Sequence, residues 1–571
     1  MPILTGVIAA IRGRRWRLLR CAAHCILIAA LAEPAHAAKF TDTEHTQIEV
    51  PRAPGVPSDS VLETEGAVIG SIQIDVRNIF DRDDPRENNN LFMLANHLHL
   101  RTKRGAIKAQ LLFKSGDRYN GRVLAETERN LRKLIYVYDA HLVPVRYADG
   151  KVDIKVITKD VWTLNPGISF SRAGGTNSTG YNLQDSNFLG WGKTLQVGHS
   201  SNVDRTSNTV KYADPNVFGS RWTTDLAFAN SSDGNERAMQ IAQPFYSLDT
   251  RWSAKISALT FDRTVSRYNL GNIVDQFNDN QTAYELSGGV SRGLVDGWTR
   301  RLLFGMHYDQ NLFVPTPVTS LPANPLPPDR TLSYPFVGFD ILKDNYKKIG
   351  DQNQIGRTED LYFGTEVTGQ VGLSNGVFGA HTNALMLAAT VVRGFELPYE
   401  QQLFLNGDFS SRVEDGRARN LIADGSAKYY WRWHTDWLLY ASLSGTVTDS
   451  LDPDKQLLLG GDNGMRGYPL RYESGTSLGI LTVEQRVFTD WYPFRLVRVG
   501  AAAFVDVGRT WGSGMVGNSD PGLLRDVGFG LRLGNTRTAL GNVVHVDLAF
   551  PLGNTVGIQK FQFLVQTFQS F

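Results

Sequence analysis

The chain has 571 residues, room for several domains, with a formal charge of +2 and a mean hydropathy of −0.24. So small a charge argues against a nucleic-acid partner held by a basic surface. A spanning helix needs about 18 or more consecutive apolar residues, which no stretch beyond the first 40 or so supplies.

Residues 1–37 read as a secretory signal peptide. Arg12, Arg14, Arg15, Arg17 and Arg20 form its basic region, Cys21 to Ala32 its apolar stretch, and Ala35-His36-Ala37 a small-x-small cleavage site. Its removal takes the charge from +2 to −2 and removes both cysteines, Cys21 and Cys25. The mature chain then has neither a disulfide framework nor a thiolate metal site. Residues 38–65, with Pro51, Pro54 and Pro57, read as a linker or extended arm.

Residues 66–162 read as a small α/β domain. Ile72, Ile74 and Val76 alternate as a strand; Leu91, Leu94, Ala95 and Leu98 recur at helical spacing; Leu124, Leu131, Leu134 and Ile135 make one face of a second helix. Two further alternating runs, Val143 to Tyr147 and Val152 to Val156, flank the hairpin signal Asp149-Gly150. The expected order is strand, helix, helix, strand, strand.

From 163 to 571 the period becomes two. Trp437, Leu439, Ala441, Leu443 and Val447 oppose Tyr440, Ser442, Ser444, Thr446 and Thr448, and Leu302, Phe304 and Met306 oppose Gly305, His307 and Asp309. Charged groups on the polar face and aromatics near strand ends, such as Trp431, Trp433, Trp437, Trp491 and Tyr492, fit a membrane barrel with a wet lumen. The fold class expected is mainly β, a transmembrane antiparallel barrel preceded by the small domain. At about 25 residues per strand and connection, the region suggests about 16 strands. Prolines 315, 317, 322, 325, 327, 328 and 335 crowd one connection, which reads as a long loop on the outer side because so many prolines do not fit a ladder.

Two strings stand out in this region. Gly460-Gly461-Asp462-Asn463-Gly464-Met465-Arg466-Gly467-Tyr468 puts an arginine on a glycine-rich loop, and Phe504-Val505-Asp506-Val507-Gly508 puts a carboxylate on a strand. Strand parity sends Phe504, Asp506 and Gly508 inward with Glu484 and Arg486, so Arg466 has inward carboxylates to meet and Phe504 or Tyr468 to stack on. The same residues also fit a solvated loop arginine and an ordinary lumen carboxylate. Pro166 and Gly167 weaken the first strand, and the strand ending at Phe571 has an irregular face, which marks the closure between them as a seam.

The Arg-Gly-Tyr loop, the Phe-x-Asp-x-Gly strand and the terminal Phe571 resemble the BamA/TamA superfamily of outer-membrane insertases and polypeptide transporters. Residues 66–162 are similar to one of that family's POTRA domains. The resemblance implies a sixteen-stranded barrel, Arg466 packed inside it against Asp506, and a bacterial outer-membrane location with the POTRA-like domain in the periplasm. It implies unfolded outer-membrane or secreted polypeptides as clients, with outer-membrane lipids and periplasmic accessory proteins as further partners. The alternative is a passive pore or structural barrel without client handling.

No enzyme, cofactor or metal is expected. Gly475-Thr476-Ser477-Leu478-Gly479 matches a hydrolase elbow, but that motif needs a following helix and here an alternating strand follows. Gly192-Lys193-Thr194 lacks the upstream glycine of a phosphate loop, since position 187 is Asn187. His97 and His99, two apart, do not share a helix face.

Overall fold

The computed structural model describes residues 51–319, 325–512, 521–539, 543–553 and 558–568. The expected signal segment 1–37, residues 38–50 of the arm, and Phe571 lie outside the described residues. Within the arm, Asp59–Thr64 forms a short helix, α1, which buries Leu62.

The small domain follows with β1 (Val68–Arg77), α2 (Asn90–Leu98), α3 (Arg104–Lys108), α4 (Gly121–Arg132), β2 (Val137–Ala148) and β3 (Lys151–Asp160). The sheet order is β1-β3-β2, with β1 parallel and β2 antiparallel to the central β3. Asp149-Gly150 makes the β2–β3 turn, both residues at positive φ, as a type I′ hairpin requires. Leu124 and Leu131 of α4 pack on Val152, Ile154 and Val156 to form the core.

Two helical readings are corrected. Ile135 lies beyond the end of α4 and is exposed. In α2 the expected face is inverted: Leu91, Leu94 and Leu98 are exposed, whereas Phe92 and Asn96 are buried. Phe92 stacks on Phe80 at 4.1 Å, and the Asn96 side chain bonds both N–H and C=O of Phe80. These contacts outside the helix, invisible to periodicity, choose which side is covered.

From Leu164 to Phe568 the chain forms a closed up-and-down barrel of 20 strands. The expected 16 is too few because many connections are minimal. Gly174-Gly175, Leu270-Gly271, Asp296-Gly297 and Asp415-Gly416 are two-residue turns with both residues at positive φ, so each strand consumes less chain than supposed. The outer surface carries exposed Leu286, Leu302, Val337 and Phe529, while polar partners of opposite parity face inward.

The small domain covers one end of the barrel. The N–H groups of Leu248 and Lys103 and the side chain of Arg221 bond across to Glu126, Gly190 and Leu111, at 2.8, 2.8 and 2.6 Å. The proline-rich connection lies at the far end, between strands Trp298–Pro315 and Arg330–Lys343. Pro335 nevertheless sits inside its strand, opposite Met306; the ladder to the next strand begins only at Phe336, so its missing N–H costs no bond there.

Candidate functional site: a plugged lumen beside a weak seam

The connection between strands Trp437–Asp449 and Ser477–Phe488 starts at the far end and folds back into the lumen. Its walls are pinned first. Asp452 accepts both Arg412 Nη groups at 2.7 Å, and Arg471 holds Asp204 at 2.6 and 2.7 Å. Between these anchors Leu459, Met465 and Tyr468 are buried with Leu524 of the wall, a small apolar core inside the tube.

Arg466 occupies the centre. Its Nε and Nη2 donate to the two carboxylate oxygens of Asp506 at 2.7 and 2.9 Å, and Nη1 donates to Glu484 at 2.7 Å. The guanidinium lies 3.3 Å from the centroid of Phe504, and Asp547 is 3.8 Å away. Thr482 donates to Asp506 at 2.8 Å. Glu484 also accepts Arg486 Nε at 3.0 Å, and Arg486 lies over Tyr440. Bidentate, charge-assisted contacts of this kind fix orientation as well as energy.

Two glycines of the motifs are required by close approach. A Cβ on Gly467 would lie 2.7 Å from Asp526 Cβ and 3.0 Å from the Pro551 nitrogen, while its own N–H bonds Asp526 at 3.0 Å. A Cβ on Gly508 would meet Met465 Sδ at 2.8 Å. Tyr468 closes the loop on the wall: its hydroxyl donates to Arg525 O at 3.0 Å and accepts from Arg525 N at 3.1 Å.

The seam lies next to this cluster. The terminal strand Gln562–Phe568 pairs with its predecessor along its whole length. Among the described residues it meets the first strand, Leu164–Ala173, at one register position, Val565 opposite Arg172. Pro166 and Gly167 instead pair with Leu183 and Asn182 on the other side of the first strand. Phe504, Ala549 and Leu564 pack together with Ala173 of the first strand. One face of Phe504 therefore meets the plug, and the same ring belongs to the apolar cluster under the seam.

One feature was not legible in the sequence. The connection after strand Arg330–Lys343, on the domain side, carries a hairpin of Tyr346–Gly350 and Thr358–Tyr362. Its tip residue Ile355 enters the lumen and packs on Tyr430, Leu438, Phe488 and Ala502. Its base grips the domain: Asp360 receives Arg132 at 2.7 and 2.6 Å, Arg357 donates to Val137 O at 2.8 Å, and Lys348 pairs with Glu128. Burial alone would raise the Glu128 carboxyl, but Lys348 and Arg132 outweigh it and hold it below its ordinary value. The hairpin's short strands and mixed composition give no period that sets them apart from the barrel.

The remaining sequence motifs take structural places. Ser477 opens a barrel strand and is buried, with no helix after it. Lys193 pairs with Asp214 at 3.0 Å. His99 is buried 3.1 Å from Asp160, and His97 is exposed. Among the described residues no group of three or more potential ligands is placed to hold a metal ion.

Comparison with known proteins gives a domain match in the C-terminal part. Residues 402–568, which include both motifs and the last strands, match the Omp85 superfamily domain. Similar solved structures include a BamA from Haemophilus ducreyi lacking POTRA domains 1–3, at 12% identity over 87% of this chain and 85% of that one, TM-score 0.38. They also include CdiB from Escherichia coli (13% identity, 88% and 76% covered, TM-score 0.44) and CdiB from Acinetobacter baumannii (12%, 88% and 74%, TM-score 0.41). No curated protein sequence matches. The match to the Omp85 superfamily domain is thus confined to residues 402–568, the part of the chain that carries the arginine loop and the aspartate strand.

Proposed function

We propose that this outer-membrane barrel assists the insertion, assembly or translocation of polypeptides by opening at its seam. The observation that carries the reading is that, among the described residues, the terminal and first strands pair at one position, Val565 with Arg172. Neighbouring strands elsewhere are laddered along most of their length, as between Val497–Trp511 and Leu524–Asn535. An unpaired strand edge in lipid leaves backbone groups unsatisfied and seeks a partner, which a client strand can supply.

The small domain is POTRA-like in element order and faces the periplasm on this reading. In the sheet β1 and β2 are the outer strands, and the outer side of β1 is met by the 116–119 segment only at its start, so an extended client segment can add to the sheet edge before reaching the seam. A passive pore is disfavoured because the arginine loop and the Ile355 hairpin both occupy the lumen, one from each end.

Cysteines at Arg172 and Val565 test the mechanism. Directly opposed antiparallel residues have Cα atoms about 4.5–5.5 Å apart, within reach of a disulfide, and no other cysteine lies beyond Cys25. The oxidised Arg172→Cys/Val565→Cys protein is expected to lose client handling and regain it on reduction, read as the envelope proteins depleted in cells that carry only this variant. Equal function in the locked and reduced forms would eliminate lateral opening.

A further inference from the structure

Residues 101–108, Arg-Thr-Lys-Arg-Gly-Ala-Ile-Lys, carry four cations and no carboxylate. Ala106 and Ile107 of α3 are buried in the domain, while Arg104, Gly105 and Lys108 stay exposed on its outer side, as do Arg101 and Lys103 just before it. Among the described residues none of the four cationic side chains pairs with a carboxylate. The acids of the adjoining elements are engaged elsewhere. Asp160 accepts the Thr102 N–H and hydroxyl at 2.8 and 2.9 Å, Asp185 accepts the Asn187 N–H at 2.9 Å, and Asp214 holds Lys193 at 3.0 Å.

Contacts fix where the segment lies. Lys103 N–H donates to Gly190 O at 2.8 Å, and a Cβ on Gly190 would meet Arg101 O at 2.6 Å. A Cβ on Gly105 would lie 3.4 Å from the Trp191 ring, and the Lys103 ammonium sits 4.2 Å from the centroid of that ring. Farther on, Gln110 bonds Asn216 and Arg221 reaches Leu111 O. The segment therefore rests on two barrel turns, residues 189–192 and 215–222.

The strands that carry these turns show which side of the wall they adjoin. Phe188 stands directly opposite Lys193, so it shares a face with Lys193 and with the alternate residues Leu195 and Val197, both exposed on the lipid side. Trp222 meets Trp252 at 6.3 Å between ring centroids, and Trp252 shares its face with exposed Ile256. At the turns themselves Leu189, Trp191 and Phe218 stay exposed, Phe218 wholly. Aromatics at the end of lipid-facing strands mark the membrane interface. Four unpaired cations thus lie at the level of lipid phosphates.

We infer that the Arg101–Lys108 segment binds anionic phospholipid headgroups, those of phosphatidylglycerol, in the leaflet on the small domain's side, with Leu189, Trp191 and Phe218 set in the interface beside it. The inference rests on the membrane placement of the barrel within the reading above, and not on client handling.

Photo-crosslinking tests it on the full chain in mixed phosphatidylglycerol–phosphatidylcholine vesicles. Each sample holds one diazirine probe: phosphatidylglycerol labelled on its headgroup, phosphatidylcholine labelled on its headgroup, or phosphatidylcholine labelled on an acyl chain. Crosslinked peptides are read by mass spectrometry. The phosphatidylglycerol probe is expected to mark residues 101–111 severalfold more than its phosphatidylcholine counterpart. A cation beside an anionic surface is worth about fivefold in attraction, so Arg101→Gln/Arg104→Gln/Lys108→Gln is expected to lower that marking by more than about tenfold. Arg101→Lys/Arg104→Lys keeps the charge and is expected to keep the marking. Inorganic phosphate is expected to compete no better than chloride at equal ionic strength. Equal marking by the two headgroup probes, an unaffected triple variant, or displacement by phosphate beyond that of chloride each overturns the inference. So does an unmarked segment while the acyl-chain probe marks the wall around Phe529, the pattern expected if water or an acidic protein faces these cations. Absence of acyl-chain marking around Phe529 refutes membrane placement itself.

Discussion

Arg466→Ala is the most direct probe of the plug. The side chain makes three charge-assisted hydrogen bonds, to Asp506 twice and to Glu484 once, and covers the Phe504 ring. Within the same network three guanidiniums (Arg466, Arg486 and Arg532) face four carboxyl groups, those of Glu484, Asp506, Asp526 and Asp547. The substitution leaves two against four. Removing one partner of a buried pair costs about 3–5 kcal/mol, and the 12% exposure of the Arg466 side chain puts this case at the lower end. About 3 kcal/mol is about a hundredfold in the docking equilibrium of the loop. Hydrogen exchange reads that population when reclosing is faster than the chemistry of exchange. Amides of residues 460–470, Gly467 above all, are expected to exchange about a hundredfold faster in Arg466→Ala, while strand amides of Val497–Trp511 stay protected. Arg466→Lys keeps the charge without the two-pronged geometry and falls between. Adding Asp506→Asn to Arg466→Ala removes one stranded charge and recovers part of the loss. Exchange in Arg466→Ala within threefold of wild type would refute the claim that this arginine holds the loop.

Three further perturbations bear on the same architecture. Gly467→Val places a branched side chain against Asp526 and the Pro551 backbone, and the overpacking, about 1–3 kcal/mol, is expected to expel the loop and raise single-channel conductance in planar bilayers. Arg132→Ala breaks the two-pronged contact with Asp360 and is expected to speed exchange in residues 346–362 while the loop at 460–470 is unchanged. Glu128, held below its ordinary value of 4.5, supports the hairpin above that pH and loses its contribution as pH falls through the lowered value. Hairpin exchange, corrected for intrinsic rates, should therefore be flat from pH 8 to 5 and rise below about 4.5, with Glu128→Gln abolishing the step.

Barrel parity was readable because an alternating strand carries its own orientation. Phe504 and Asp506 are buried while Ala503 and Val505 are exposed, the arrangement that their alternation predicts. Strand number was not readable in the same way, because it depends on connection lengths, and turns such as Leu270-Gly271 give weak local signals. The α2 face failed for a different reason. Periodicity finds an apolar stripe but not which of two stripes is covered, and that choice rests on Phe80 and Asn96, which meet through tertiary contact. The Ile355 hairpin was missed because Tyr346–Gly350 and Thr358–Tyr362 are too short to register as anything but part of a connection.

The distribution of the plug's contacts constrains where the wall can give. Glu484, Asp506, Asp526 and Asp547 lie on four consecutive strands, Ser477–Phe488, Val497–Trp511, Leu524–Asn535 and Val543–Pro551. Arg466 and Gly467 reach all four, and Arg532 ties the last two of them together through Asp547. The loop thus braces the wall up to the strand before the last. The terminal strand receives none of these charged contacts; it is held by its ladder to Val543–Ala549 and by Leu564 against Phe504. Deformation should therefore concentrate at Gln562–Phe568. Undocking Arg466 would free the Phe504 ring on which Leu564 rests, so loop release and seam opening share one side chain. Phe504→Ala accordingly should loosen both loop and terminal strand, whereas Leu564→Ala should loosen the terminal strand alone. If exchange at 460–470 rises equally in the two variants, the brace does not end where these contacts end.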